Sequence, residues 1–295
     1  MAGVLKDIHK GIICIIISAF SFAVMNMLVR LAGDIPSIQK SFFRNAVAAV
    51  FALAIVLKDR HDITVDRRNI PLLILRSVLG TVGILCNFYA VDHLVLADAS
   101  MLNKLSPFFT LICSAVFLKE KVSIKEALIV AGAFAGSLLI IKPSFSNTDL
   151  GTSLIGLLGG LGAGSAYTCV RALGKRGEKG PVIVLFFSAF SCLVPLPYLL
   201  FRYSPMTAGQ VLILMLAGAA AAAGQFSITA AYSFAPARKI SVYDYSQILF
   251  AALLGYFILN QTPDILSVLG YAVIIMMAVI MFLMQKSLEK KKDSR

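Results

Sequence analysis

The chain has 295 residues, of which 59% are hydrophobic and only 14% are charged, and its mean hydropathy is +0.86. A soluble domain of this length would carry about a quarter of its residues as charges, so the composition favours an integral membrane protein. The net charge of +12 does not indicate a nucleic-acid partner, because the basic residues cluster in loops on one predicted side of the membrane.

Ten apolar stretches are long enough to cross a bilayer as helices, each of which needs about 20 residues. In chain order they are residues 12–31, 38–57, 70–91, 97–118, 124–141, 152–170, 181–201, 210–234, 240–259 and 265–284. Their continuous apolar character is typical of helices rather than of barrel strands, in which polar and apolar residues alternate. The five cysteines lie inside these spans without metal-type spacing, so we expect free thiols and no metal or other cofactor.

The basic residues fix the predicted orientation. Of the 27 Lys and Arg residues, 20 fall on one side of the ten spans, and three lie within spans: Arg44, Arg76 and Lys104. The opposite side has only Arg30, Lys40, Lys142 and Arg202. Since basic loops stay on the cytoplasmic side, both termini are predicted to lie in the cytoplasm, with the chain in the cytoplasmic membrane.

The two halves of the chain resemble each other. Phe42 to Arg44 in the second span matches Phe186 to Ser188 in the seventh, and Asn87 in the third matches Gln225 in the eighth. These matches keep their order along the chain, which indicates a duplication with repeats at 1–145 and 146–295. Because each repeat has an odd number of spans, the second enters the membrane with inverted topology, as in many secondary transporters.

Short motifs in both halves resemble the EamA-like transporters of the drug/metabolite transporter superfamily. They are ADAS at 97–100, LSP at 105–107, FLKE at 117–120, APA at 235–237 and YDYSQ at 243–247. The resemblance implies ten helices, a central cavity lined by spans one to four and six to nine, peripheral fifth and tenth spans, and movement of small metabolites, often outward. One departure is Asn260, where the family has an acidic residue that Glu120 retains in the first half.

Lys104 and Asp244 occupy equivalent positions in the two repeats. Charged groups inside a membrane usually face the protein interior or a watery path, so we predict that both line the cavity. Straight helices would place their backbones about 12 Å apart along the membrane normal, given a core of about 30 Å. A direct ion pair then needs tilted helices or a stretched lysine, and a substrate with two opposite charges could bridge them instead. The alternative is a structural pair that joins two helices.

Helical spacing adds further candidates for substrate binding: Asn26, Asn87, Asn103, Tyr167, Gln225, Tyr243 and Gln247. The alternative is an interhelical hydrogen bond for each amide and core packing for each tyrosine. Arg44 could hold a carboxylate or phosphate of the substrate, or its side chain could reach to the lipid headgroups. For Arg76, a side chain that reaches to the headgroups is favoured. Gly156, Gly160 and Gly164 predict close helix packing, and Pro107 predicts a kink beside Lys104.

The leading functional hypothesis is a secondary transporter that exports a small polar or zwitterionic, amino-acid-like metabolite by alternating access. One half would rock against the other around the midplane site, with protons as a coupling ion through Asp244. The expected partners are this small molecule and the lipid bilayer, with no nucleic acid, and the chain as a monomer or homodimer. The alternatives are an intramembrane enzyme or a ligand-binding membrane sensor without transport. The chain has no His-Glu-x-x-His or Gly-x-Ser-x-Gly motif, so we predict no enzymatic activity.

Overall fold

The computed structural model describes residues 2–58, 65–93, 96–142, 150–259 and 262–293, and all regular secondary structure in these ranges is helical. The helices are α1 (Ala2–Leu31), α2 (Ser37–Lys58), α3 (Ile70–His93), α4 (Leu96–Asn103), α5 (Ser106–Phe117), α6 (Ile124–Ile141), α7 (Leu150–Lys175), α8 (Gly180–Leu193), α9 (Leu196–Phe201), α10 (Ala208–Phe234), α11 (Ala237–Ile240), α12 (Ser246–Leu259) and α13 (Ile265–Asp293). Short 3-10 turns occupy Arg67–Asn69 and Ser241–Tyr245. The predicted repeat boundary at 145/146 and Asn260 lie outside the described residues.

Within these ranges, nine segments are long and apolar enough to cross a bilayer, and they correspond to nine of the ten predicted spans. The remaining prediction, 240–259, is divided among the end of α11, a 3-10 turn and α12. Helix α12 has 14 residues and is about 21 Å long, which is shorter than a hydrocarbon core of about 30 Å. The count of ten unbroken spans is therefore not confirmed, although the all-helical membrane architecture is.

The outer surface of the bundle is apolar. Side chains such as Phe201, Ile265 and Phe257 are exposed by 86%, 80% and 75%. On a soluble protein such apolar exposure would favour association, whereas hydrocarbon chains cover it in a bilayer. Capping boxes begin α6 at Ser123 and α10 at Thr207, where the bundle meets its loops.

The helix packing follows an internal two-fold relation. Helix α1 packs along α10, and its repeat counterpart α7 packs along α3. The contact of α2 with α10 is mirrored by that of α8 with α3, and the contact of α1 with α12 by that of α7 with α5. Helices α6 and α13, the last span of each repeat, pack against each other. The most extensive packing thus crosses between the repeats, so the two halves are interleaved and not separate bodies.

The glycines of α7 permit its close approach to the broken fourth span, as their spacing predicts. A Cβ added to Gly160 would lie 2.6 Å from the carbonyl oxygen of Leu102, and one at Gly164 would lie 2.7 Å from that of Ser106. A Cβ at Gly162, on the other side of α7, would lie 2.9 Å from the Cα of Gly83 in α3. Helix α7 therefore holds the interruption between α4 and α5 in place by backbone contact.

Candidate functional site

Two interrupted helices meet in the bundle at equivalent positions of the repeats. The first interruption separates α4 from α5 at Lys104 and Leu105, where Pro107 lacks the backbone N–H that a continuous helix would use. The second is the 3-10 turn Ser241–Tyr245 before α12, and the Ser246 hydroxyl donates to the carbonyl of Tyr243 at 2.7 Å. Such interruptions in transporter helices expose polar backbone and side chains near a substrate.

Lys104 and Asp244 lie at these two interruptions and form a direct ion pair. The Lys104 Nζ donates to the Oε1 of Gln247 at 2.7 Å and lies 3.8 Å from the Oδ2 of Asp244. The lysine and aspartate side chains are 13% and 10% exposed. Of the two arrangements left open by the sequence, the structure has the direct ion pair, and both helices are interrupted where the charges lie.

Tyr245 joins the two interruptions a second time. Its side chain is fully buried, and its hydroxyl donates to the backbone carbonyl of Lys104 at 3.0 Å. Tyr243, a predicted site residue, is also buried, and its hydroxyl has no hydrogen-bond partner among the described residues. The 3-10 turn therefore presents one tyrosine that braces the pair and one whose hydroxyl is available.

Further polar atoms without partners lie on α10. Within the described part of the chain, the Nε2 of Gln225 and the Oγ1 of Thr229 are buried and have no hydrogen-bond partner. Leaving a buried amide without a partner costs free energy, and such amides usually bind a water or an ion or have a functional role. For the Nε2 of Gln225, the alternative of an interhelical hydrogen bond does not describe the structure.

Tyr167, another predicted site residue, lies on α7 and packs against α10. Its ring stacks on that of Tyr232 with centroids 5.0 Å apart and an angle of 14°. The Tyr232 side chain is fully buried. Tyr167 therefore packs on a buried aromatic ring where α7 and α10 meet.

The other predicted residues lie outside this hydrogen-bonded group. Asn26 on α1 is exposed, and Asn103 is partly buried next to the first interruption. The backbone of Asn87 packs against Gly159 of α7, since a Cβ there would lie 3.0 Å from the Asn87 nitrogen. None of these amides has a hydrogen bond to Lys104, Asp244 or Gln247 among the described side chains.

The two arginines differ in environment. The partly buried Arg44 has its guanidinium 5.7 Å from the centroid of the Phe22 ring on α1. The side chain of Arg76 is only 2% exposed, and its guanidinium lies 3.7 Å from the centroid of Phe187 on α8. The prediction that Arg76 reaches to the headgroups is therefore wrong, because its side chain ends on a buried ring.

Ion pairs close the face of the bundle at which α5, α7 and α10 end and α6 and α8 begin, which we call the basic face. The Oε1 of Glu120 lies 3.1 Å from the Nε of Arg171 and 2.7 Å from the Nζ of Lys175. The NH1 of Arg171 also donates to the carbonyl of Ser233, at 2.9 Å. The retained Glu120 thus connects the end of α5 to α7, and Arg171 connects α7 to the end of α10.

A second acidic group at the basic face is Glu126, which the sequence analysis did not single out. Its carboxylate lies 3.1 Å from Lys239 and 3.7 Å from Arg238, and it completes the capping box of α6 with Ser123. The Ser-x-x-Glu spacing was the available signal for the cap. The partners in α11 could not be read from sequence, because they are more than a hundred positions away.

At the face opposite the basic face, the helices are joined mainly by uncharged hydrogen bonds. The side-chain amide of Gln39 exchanges hydrogen bonds with the backbone of Ser204, at 2.9 and 3.0 Å. Gln210 donates to the carbonyl of Ala32 at 3.1 Å, and Lys142 at the end of α6 pairs with Asp264 before α13. The two amide contacts are therefore uncharged, in contrast to the ion pairs at the basic face.

Comparison with known proteins identifies the family. The sequence model of the EamA-like transporter family matches residues 9–142 and again residues 151–284, which together span nearly the whole chain. The chain belongs to the EamA-like transporter family. The double match also shows the internal duplication, with one copy of the family's unit in each half.

Curated relatives of this EamA-like protein include named transporters. It is 31% identical over 279 residues to the pseudopaline exporter of Pseudomonas aeruginosa, covering 94% of this chain and 97% of the relative. It is 27% identical over 266 residues to the riboflavin transporter of Brucella anthropi, covering 86% and 92%. A solved crystal structure superposes with a TM-score of 0.84 at 15% identity over 95% of this chain and 99% of the other, which shows the shared fold.

Proposed function

We propose that this EamA-like protein is a secondary transporter that exports a small polar or zwitterionic metabolite across the cytoplasmic membrane by alternating access. The observation that carries the proposal is the meeting of two interrupted helices, which brings Lys104, Asp244 and Gln247 within bonding distance in the bundle interior. Such a group offers an ammonium, a carboxylate and an amide, which suit a substrate with both an acidic and a basic end.

The direction and orientation rest on two supports. The basic loops favour a cytoplasmic location for both termini and for the basic face. The pseudopaline relative is named an exporter, which favours outward transport here. On this proposal, the ion pairs of Glu120 and Glu126 close the cytoplasmic face, while the opposite face has mainly neutral hydrogen bonds.

The interleaved packing suggests which parts move. A rocking motion of residues 1–145 against 146–295 would break the most extensive contacts, those of α1 with α10 and of α3 with α7. We therefore propose that each moving unit keeps one of these pairs and contains helices from both repeats. The interruptions at Lys104 and Tyr245 then lie between the units, where a substrate would separate Lys104 from Asp244.

The test begins with purified protein and a thermal-shift screen of amino acids, nucleosides, vitamins and polyamines. Compounds that raise the melting temperature are then measured for transport into proteoliposomes, with and without an imposed pH gradient. We expect Lys104→Ala to lose binding and Asp244→Asn to lose the effect of the gradient. Asp7→Asn is the matched control, because it changes an exposed carboxylate that pairs with Lys10 at 3.7 Å.

Two results would count against the proposal. Gradient-stimulated transport that is the same in Asp244→Asn and in the unchanged protein would remove Asp244 from the coupling step. Binding without any transport, in liposomes that contain folded protein, would favour a membrane sensor instead.

A further inference from the structure

Arg76 is the largest side chain that is fully buried in the described part of the molecule, and it lacks a counter-charge. Its Nε and NH1 have no hydrogen-bond partner among the described residues. The nearest acidic residue ahead of it on α3 is Asp92, 16 positions further along the chain, or about 24 Å along a helix. A buried cation without a carboxylate costs the folded protein several kcal/mol unless something pairs with it.

The direction of the side chain shows that the cation is held in place. The NH1 of Arg76 occupies the space that a Cβ at Gly80, one helical turn further along α3, would need. Phe187 on α8 covers the guanidinium with its ring. The side chain therefore runs from the basic end of α3 towards the middle of the membrane, opposite to the direction that would reach headgroups.

A second cation, Arg44, lies on α2, which packs against both α3 and α8. Phe187, whose ring covers Arg76, is part of α8, so the two arginines belong to helices that meet at α8. Neither arginine has an ion pair within the described ranges, whereas Lys104 is paired with Asp244. Within the described ranges, the polar interior therefore carries one neutral pair and two unpaired positive charges.

We infer that Arg76 and Arg44 form an anion subsite that takes a carboxylate or phosphate group of the transported substrate. This inference rests on the proposed function and sharpens its substrate class. The substrate carries one acidic group more than an ordinary zwitterion, so that its net charge is negative. The Nε and NH1 groups of Arg76 are free to donate to an anion, and the stacking of the guanidinium on Phe187 holds the planar group in position.

The first experiment measures binding by purified protein in detergent. The probes are the sodium salts of succinate, glutamate and inorganic phosphate, with glutamine as the neutral analogue and sodium chloride matching the ionic strength. We expect the anions to raise the melting temperature more than glutamine does. The carboxylate and phosphate probes distinguish the two acidic groups that the subsite could take.

The variants test the assignment to Arg76. We expect Arg76→Gln to raise the half-saturating concentration of the effective anion by about 30-fold or more, because the bound anion loses its buried cationic partner. Arg76→Lys keeps the charge but lacks the planar guanidinium and its Nε donor, and it should give an intermediate loss. Arg202→Gln is the matched control, since it makes the same change at an exposed position outside the bundle interior.

The stability of the ligand-free variants distinguishes a binding role from a structural one. If Arg76 is an unpaired charge kept for binding, the melting temperature of Arg76→Gln without ligand equals or exceeds that of the unchanged protein. A lower melting temperature together with unchanged anion binding would overturn the inference. Arg44→Gln, at a less buried position, provides a second variant and should weaken anion binding several-fold.

The outcomes also separate this inference from the proposed function. Transport that depends on Lys104 and Asp244 but shows no preference for anions would overturn the anion subsite, while the proposed transport function would still hold. Anion binding that depends on Arg76 in a protein without transport would support the subsite and remove the transport proposal. No anion-specific shift in the unchanged protein would also overturn the subsite.

Discussion

At the basic face, the Oε1 of Glu120 pairs with both Arg171 and Lys175, and Glu126 likewise has two cationic neighbours. In the bundle interior, Asp244 has one cation at 3.8 Å, and Arg76 has no carboxylate partner among the described side chains. Each of these carboxylates at the basic face thus has two cations around it, whereas the interior has one ion pair and, in Arg76, a cation without a carboxylate. This difference suggests that charges at the face join helices, whereas interior charges are kept for a ligand.

The largest expected effect is a loss of transport without a loss of stability, which distinguishes ligand binding from the joining of helices. Replacing both members of the Lys104–Asp244 pair, as Lys104→Met with Asp244→Asn, should reduce transport by roughly 100-fold because the charged groups that would bind the substrate are lost. Its stability should change by about 1 kcal/mol or less, since removing a whole buried pair leaves no charge uncompensated. Proteoliposome flux and melting temperature, measured on the same preparation, check both. A large loss of stability would make the pair structural.

The converse variant acts at the face. Glu120→Gln leaves Arg171, whose side chain is 13% exposed, without its carboxylate. We expect a loss of roughly 3 kcal/mol of unfolding free energy, as for other broken buried pairs. Denaturant unfolding measures it, with Asp7→Asn in an exposed pair as the control that should change by less than about 1 kcal/mol. Equal losses of unfolding free energy in the two variants would contradict a stabilising role for the Glu120 ion pairs.

A smaller effect tests whether α7 holds the first interruption in place. Gly160→Ala puts a methyl group 2.6 Å from the Leu102 carbonyl, so the helices must separate, at a cost of about 1–3 kcal/mol. Gly209→Ala is the control, because the nearest atom to its Cβ is 4.0 Å away. Thermal unfolding should show a loss only for the first. If the two variants behave alike, the packing of α7 does not matter for stability.

The smallest effect is expected at the opposite face. The Lys142 ammonium and the backbone N–H of Ser267 hold the pKa of Asp264 at about 2, below its usual value of 3.8. A carboxyl whose pKa is lower in the folded state stabilises that state at pH values above its unfolded pKa. This contribution disappears as the pH falls from about 4 to 2. Melting temperatures of Asp264→Ala and of the unchanged protein should therefore converge over that interval. A constant difference between them would contradict this linkage.

The outcome for individual residues shows where sequence reasoning works. Lys104 and Asp244 could be identified as partners because charges are rare in apolar spans and the repeat gives each a counterpart. Their direct contact could not be decided from the sequence, because the interruption before α12 contains no proline and falls inside a segment predicted as one continuous span. The direction of the Arg76 side chain could not be predicted either. It depends on the space at Gly80 and on the ring of Phe187, which comes from the other repeat.

The sequence by itself determined the membrane environment, the helical class and the duplication, because these depend on composition, on segment length and on order along the chain. It also limited the interior charges to a few residues. Only the tertiary structure decided which of them are paired, that the repeats are interleaved and that Arg76 points inward. The physical reason is that pairing and burial depend on helices that are distant in sequence, such as α1 with α10 and α3 with α7.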